Sequence, residues 1–151
     1  MVIVAGVVAE MKVVGNHQWD ESYPDRARFA RDVDNGSLFV ADDAGDVIGF
    51  VTVDHDEPPG YDGLRWSDRG DALVIHRLAV DPKRRAAGVA TTLEAFVCGA
   101  ARQLGIMHLK IDTYSTNAAM QAFLTRKGYR KVGEMEFRGK PLPFYCYEKL
   151  L

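Results

Sequence analysis

No stretch of this 151-residue chain is long and apolar enough to span a bilayer, and only two cysteines are present. The apolar start, Met1 to Ala9, has no basic segment before it and gives way at once to Glu10 and Lys12. It reads as part of the fold, which implies a cytoplasmic protein without a membrane partner. Cys98 and Cys146 stand far apart with no CxxC neighbour, the pattern of reduced, buried thiols. His55 and the acidic residues around it (Asp54, Asp56, Glu57) have no second His or Cys at ligand spacing, so a solvated loop and no metal are expected. Charge of one sign is missing too. Nineteen basic residues against twenty-one acidic ones leave −2, which argues against a nucleic-acid partner. The chain also lacks both the Gly-x-x-x-x-Gly-Lys-Ser/Thr loop and the Gly-x-Gly-x-x-Gly turn, so neither a P-loop nor a dinucleotide fold is expected.

What is present is the pattern of one α/β domain, residues 1–151, with a mixed sheet. Val2 to Val14 can form a helix, with room for a few residues of strand at its start, and a loop from Gly15 to Pro24 carries Trp19, Asp20, Glu21 and Tyr23. Asp25 to Asn35 reads as a short helix stopped by Gly36. Ser37–Asp42 and Val47–His55 are β-rich runs forming a hairpin. Asp56 to Gly70 is long and polar, as functional or mobile loops are. The strongest strand is Asp71–Val80, ended by Asp81-Pro82. The spacing of Val89, Leu93, Phe96, Val97, Ala100 and Leu104 predicts a helix over about 88–104 with one apolar stripe. A strand at His108–Thr113, a helix at Asn117–Lys127 and strands at Arg130–Phe137 and Phe144–Lys149 complete the chain.

The junction of the strongest strand with the long helix carries the chemistry. Leu78-Ala79-Val80-Asp81-Pro82-Lys83-Arg84-Arg85-Ala86-Ala87-Gly88-Val89-Ala90 runs from a buried strand through a loop of small and basic residues into a helix. A helix amino terminus has unpaired N–H groups and a positive dipole end, and small residues let an anion approach the backbone. Arg84 and Arg85 can add charge-assisted contacts. The residues alone describe a phosphate-binding site.

Arg85-Ala86-Ala87-Gly88-Val89-Ala90 fits the [Gln/Arg]-x-x-Gly-x-[Gly/Ala] signature of the GNAT acetyltransferases, and the chain from about Ser37 to Leu151 resembles that family. Ile75 to Pro82 looks like the family's fourth strand. Asn117, followed by Phe123-Leu124-Thr125-Arg126-Lys127-Gly128-Tyr129, resembles its next motif. The resemblance implies an α/β GNAT-like fold: a mixed, mostly antiparallel sheet splayed at its centre and flanked by about four helices. It implies acetyl transfer from acetyl-CoA to a primary amine by direct attack. Leu78, Ala79 and Val80 are expected to pair with the pantetheine arm through the strand backbone. The N–H groups of Arg85, Ala86, Ala87, Gly88, Val89, Ala90 and Thr91 should hold the pyrophosphate, and Asn117 should contact the cofactor at the splay.

The chain departs from the family in three places. Ala86 stands where glycine is common, Leu124 where many relatives have the tyrosine that protonates the thiolate, and the first strand is short or missing. Tyr114, Tyr145 and Tyr147 are the tyrosines that could replace the missing acid. Strict alternation places His76 on the same side of its strand as Leu78. In a relative with His-x-Leu-Ala-Val here, that histidine helps deprotonate the amine, so His76 is the expected base. Arg77 is expected on the opposite face, and Asp112 either binds a cationic acceptor or pairs with Arg77. Trp19 and Tyr23, in an aromatic-acidic loop, are expected to wall an amine site or to pack in the core. The acceptor is a small-molecule amine or a protein amino group, and the assembly a monomer or homodimer. Two rival readings are a degenerate GNAT domain that senses CoA without turnover and a nucleotide-binding or interaction domain unrelated to CoA.

Overall fold

The computed structural model describes residues 1–68, 70–85 and 87–151. Helix α1 (Val2–Val13) is the first element, with no strand before it among the described residues. Val4, Val7 and Val8 recur at helical spacing and are buried, so the apolar start is a core-facing helix. After α2 (Arg26–Asp34) come β1 (Leu38–Asp43), β2 (Asp46–Asp54), β3 (Leu73–Val80), α3 (Val89–Gln103), β4 (His108–Tyr114), α4 (Ala118–Arg126), β5 (Arg130–Met135) and β6 (Phe144–Leu150). The six strands form one sheet in the order β1-β2-β3-β4-β6-β5. Every pairing is antiparallel except β3 with β4. This is the α/β architecture with a mixed sheet and four helices that the sequence implies.

Each face of the sheet has its own core. On one face, Val89, Leu93, Val97 and Ala101 of α3 and Leu124 of α4 pack on Val51, Ile75, Leu109, Ile111 and Tyr147. On the other, Val4, Val7, Val8 and Trp19 pack on Phe50 and Ala79. Two members of the stripe expected on α3 are exposed: Phe96, which leans on Phe39, and Leu104 at the helix end. In their place α3 buries Glu94, whose carboxylate accepts from Lys149 Nζ at 2.7 Å and Cys98 Sγ at 3.0 Å. A buried charge is tolerable only when paired in this way.

The long polar loop before β3 is a packed cover. Its 3-10 turn, Pro59–Tyr61, buries Tyr61 completely, and Leu64 and Trp66 join a third cluster with Val74, Tyr114, Phe144 and Cys146. Ser67 pins the loop by donating from N and Oγ to Glu148 at 2.9 and 2.7 Å. Glu148 is also bonded to His108 Nε2 at 3.0 Å and paired with Arg130. Burial pushes this carboxyl up, but the hydrogen bonds from Ser67, Arg130 and His108 outweigh it and bring it to about 2. The folded value lies below the ordinary 4.5, so the stabilisation is fully present above that pH and is lost as the pH falls towards 2. Glu148→Gln should therefore flatten the melting temperature against pH across that window, and should cost on the order of 2 kcal/mol near neutrality.

The sheet opens at its centre. β3 and β4 pair in register only over Leu73–Leu109, Val74–Lys110 and Ile75–Ile111. Beyond Ile75 the two strands diverge, which leaves the carboxyl half of β3 unpaired on that side.

Candidate active site

A cleft of about 830 Å³ occupies the opening. Leu78, Ala79 and Val80 of β3, Arg84 and Arg85, the start of α3 from Gly88 to Thr91, and Asn117, Met120 and Phe123 line it, with α1 along one side. The start of α3 explains the anion-binding character expected here. Gly88 is the N-cap in the left-handed conformation, φ 76°, and no side chain caps the helix. The N–H groups of the first turn are therefore left for a ligand. A Cβ built on Gly88 would meet nothing within 4 Å, so the space before the helix end is open. Arg85 pairs at 2.5 Å with Glu10 of α1, and Arg84 at 3.2 Å with Asp43. Both pairs are largely exposed, so they hold the arginines only weakly. Ala87 follows the arginines as an exposed residue of the same loop; Ala86, expected beside it, lies outside the described residues. A diphosphate attached to an extended, amide-bearing arm fits this surface. The helix end and arginines suit the phosphates, and the free β3 edge offers N–H and C=O groups to the arm.

Asn117 caps α4, its Oδ1 accepting from Met120 N at 3.2 Å. Its Nδ2 donates at 2.8 Å to Gln18 Oε1, which also accepts from Thr113 Oγ1 and Tyr114 N at 3.0 and 3.2 Å. Gln18, in the loop after α1, thus fills the apex of the splay. No motif marks it, and only the fold brings it within reach of residues about a hundred positions away.

Beyond Gln18 lies a second, smaller cavity of about 180 Å³, bordered by Trp19, Tyr23, Arg28, His76, Arg77, Asp112 and Arg138 among others. Here the strand argument needs correction. In the β2–β3 ladder Thr52 opposes Arg77 and Val53 opposes Ile75, so His76 is an extra residue, a β-bulge. The bulge cancels the alternation. His76 and Arg77 both reach the small cavity, while Leu78 lines the large one. His76 is thus not on the side of Leu78, as strict alternation requires, and Arg77 is not opposite His76.

His76 Nε2 lies 2.6 Å from Asp54 Oδ1, which also accepts from Asp56 N at 2.9 Å. Burial raises the Asp54 carboxyl, but the bond and charge of His76 outweigh it and hold it below the usual carboxylate range. With Asp54 ionised, Nε2 carries the proton and Nδ1 is the free basic nitrogen. Asp54, set aside in the sequence as part of a solvated loop, is the partner of the expected base.

Arg77 pairs with Asp32 rather than Asp112. Its Nε and Nη2 donate to the two Asp32 oxygens at 2.9 and 2.8 Å, both side chains being buried, and Nη1 donates to Tyr23 Oη at 2.9 Å. Asp112 accepts from Tyr61 Oη at 2.9 Å, and burial raises its carboxyl. Trp19 is a core residue stacked parallel to Phe50 and meets the cavity only at its border. The Tyr23 ring lies beneath Arg138. Leu124 is buried against the α3 face of the sheet, and none of Tyr114, Tyr145 and Tyr147 lines either cavity.

The sequence profile of the Acetyltransferase (GNAT) family matches residues 8–129. The chain belongs to the GNAT acetyltransferase family. The matched residues run from the second half of α1 through the bulged strand and α3 to the end of α4, and they begin well before Ser37. Among solved structures, a GNAT acetyltransferase from Streptococcus agalactiae 2603 is similar at 25% identity and TM-score 0.87, over 100% of this chain and 87% of its own. A GNAT acetyltransferase from Listeria monocytogenes 4b F2365 has the same fold at 18% identity and TM-score 0.73, over 99% and 86%. An N-acetyltransferase from Staphylococcus aureus Mu50 does so at 18% and 0.68, over 99% and 92%. Comparison with curated protein sequences returns no match.

Proposed function

We propose that this GNAT protein transfers an acetyl group from acetyl-CoA to a primary amine in the cytoplasm. The observation that carries the reading is two cavities meeting at the Gln18–Asn117 hydrogen bond, one suited to a diphosphate and its arm, the other holding a paired histidine. In the larger cleft the α3 amino terminus, Arg84 and Arg85 hold the pyrophosphate, and the free edge of β3 at Leu78–Val80 holds the arm. Bound acetyl-CoA supplies an activated acyl carbon; the protein must supply a neutral amine.

His76 supplies it. An amine arrives as an ammonium ion and attacks only after losing a proton. Nδ1 of His76 accepts that proton, directly or through one water, and Asp54 stabilises the imidazolium that results. The amine nitrogen then bonds to the acyl carbon as the carbon–sulfur bond breaks. The second proton, shed by the nitrogen as it becomes an amide, passes through water to the thiolate, since no tyrosine at position 124 offers one.

Acetyl-CoA alone should stabilise the protein by about 2.7 kcal/mol at a hundredfold excess over Kd. Thiol release should follow on adding a suitable amine. Absence of any thermal shift with acetyl-CoA or CoA would overturn the reading; a shift without thiol release from any amine would leave a CoA-binding sensor.

A further inference from the structure

We infer that the acceptor carries a carboxylate beside its amine, and that Arg138 holds that carboxylate in the smaller cavity. This rests on the reading of that cavity as the acceptor site. Three arginines border it. Two are already engaged: Arg77 by both oxygens of Asp32, and Arg28 by the same carboxylate at 3.3 Å. Lys110, nearby, is paired with Glu57. Among the described residues Arg138 alone of the three has no carboxylate within ion-pair distance, and the hydrogen-bonding side chain beside it is the neutral Tyr23 hydroxyl.

Its position is built rather than incidental. Arg138 has φ 57°, a left-handed backbone that a non-glycine residue adopts at a cost. Its guanidinium carbon lies 3.1 Å from the centre of the Tyr23 ring and 5.1 Å from that of Phe137. The neighbouring Lys140 bonds Asp20 at 2.8 Å, tying the β5–β6 connection to the loop that bears Tyr23. Stacking uses the face of a guanidinium and leaves its edge of N–H donors free, the fork that binds a carboxylate with two hydrogen bonds. Burial and the nearby charge of Arg77 weaken the protonated form of Arg138, a penalty that an anion in the cavity would relieve.

The rest of the lining carries the acids and the base: His76 with its partner Asp54, and Asp112, Asp56 and Glu57. A plain cationic amine would satisfy these groups and leave Arg138 without a carboxylate partner. A ligand with a carboxylate and an ammonium group close together satisfies both. It sets the carboxylate on Arg138 and delivers the amine to His76. At about 180 Å³, the cavity suits a free amino acid or a similarly small amino carboxylate.

The test pairs each common L-amino acid with its own carboxamide, which removes the negative charge and keeps the amine. Thiol release with saturating acetyl-CoA gives kcat and KM, and calorimetric titration of the same compounds into the CoA-saturated protein gives Kd. We expect at least one free amino acid to beat its amide about tenfold or more in kcat/KM and in Kd. Arg138→Met should abolish that difference by raising KM for the acid alone, with acetyl-CoA affinity unchanged; Arg138→Lys should restore part of it. Amides used or bound as well as the acids, or a preference that survives in Arg138→Met, would overturn the assignment. If no compound is acetylated but the acids still bind through Arg138, the carboxylate site stands and the catalytic reading fails. If acetylation occurs without a carboxylate preference, the reverse holds.

Discussion

Gly88→Glu should abolish the acetyl-CoA-dependent thermal shift altogether. The residue opens α3 with no side chain in the way, and the space beyond it is empty to 4 Å. A glutamate there fills that space and sets a negative charge at the positive end of the helix, the place proposed above for the phosphates. The substitution carries a second effect, because φ 76° is a left-handed conformation that costs an L-residue about 1–2 kcal/mol. The variant should therefore melt a few degrees lower yet remain folded. Gly128→Glu, at φ 82° after α4 and away from the cleft, should lose similar stability and keep the full ligand shift. Gly88→Ala separates strain from charge and should retain weakened binding. An undiminished shift in Gly88→Glu would place the anion site elsewhere.

His76→Ala should reduce kcat on the order of 10²-fold, the usual contribution of a general base, with acetyl-CoA affinity unchanged. The pH profile discriminates this from a packing defect. A base acts only in its neutral form, so wild-type kcat/KM must fall as acid protonates the imidazole, and that limb must vanish with the residue. Asp54→Asn keeps a hydrogen-bonding group beside Nε2 but removes the charge that stabilises the imidazolium. It should move the limb to lower pH and lower the rate less than His76→Ala does. A variant lacking His76 that keeps both rate and limb would make it a structural strand residue.

Local signals in the sequence placed most of the fold. Valines at positions 4, 7 and 8, the glycines after α2, α3 and α4, and the β-rich runs around Asp43-Ala44-Gly45-Asp46 all act within a few residues of themselves. The start of α3 was legible for the same reason: a helix end and the small residues before it are one contiguous segment. The smaller cavity was not legible, because five separate parts of the chain meet there. Asp32 reaches Arg77 across 45 positions and Asp54 reaches His76 across 22. A carboxylate in a polar run gives no sign of which distant group it will meet, and Asp112, for which Arg77 was one of two expected partners, meets Tyr61 instead. The exposure of Phe96 and Leu104 has a similar origin. Helical spacing gives the apolar stripe, but it cannot foresee that Glu94 is drawn inward by Lys149 of β6.

The extra residue at His76 also bears on how such a protein can change. On the reading proposed above, one strand serves two ligands, main-chain groups at Leu78–Val80 facing the donor and the His76 side chain facing the acceptor. Main-chain recognition is indifferent to most substitutions, whereas side-chain recognition is not. New acceptors can thus be acquired by exchanging residues around the smaller cavity while the donor site, written largely in backbone, passes from one descendant to the next intact. Losing the extra residue itself would leave the ladder in register, Arg77 opposite Thr52 and Ile75 opposite Val53, with Leu78 and Val80 still on the cleft. Only the histidine would go, so the bulge lets the strand carry a side chain for one half without moving the backbone of the other.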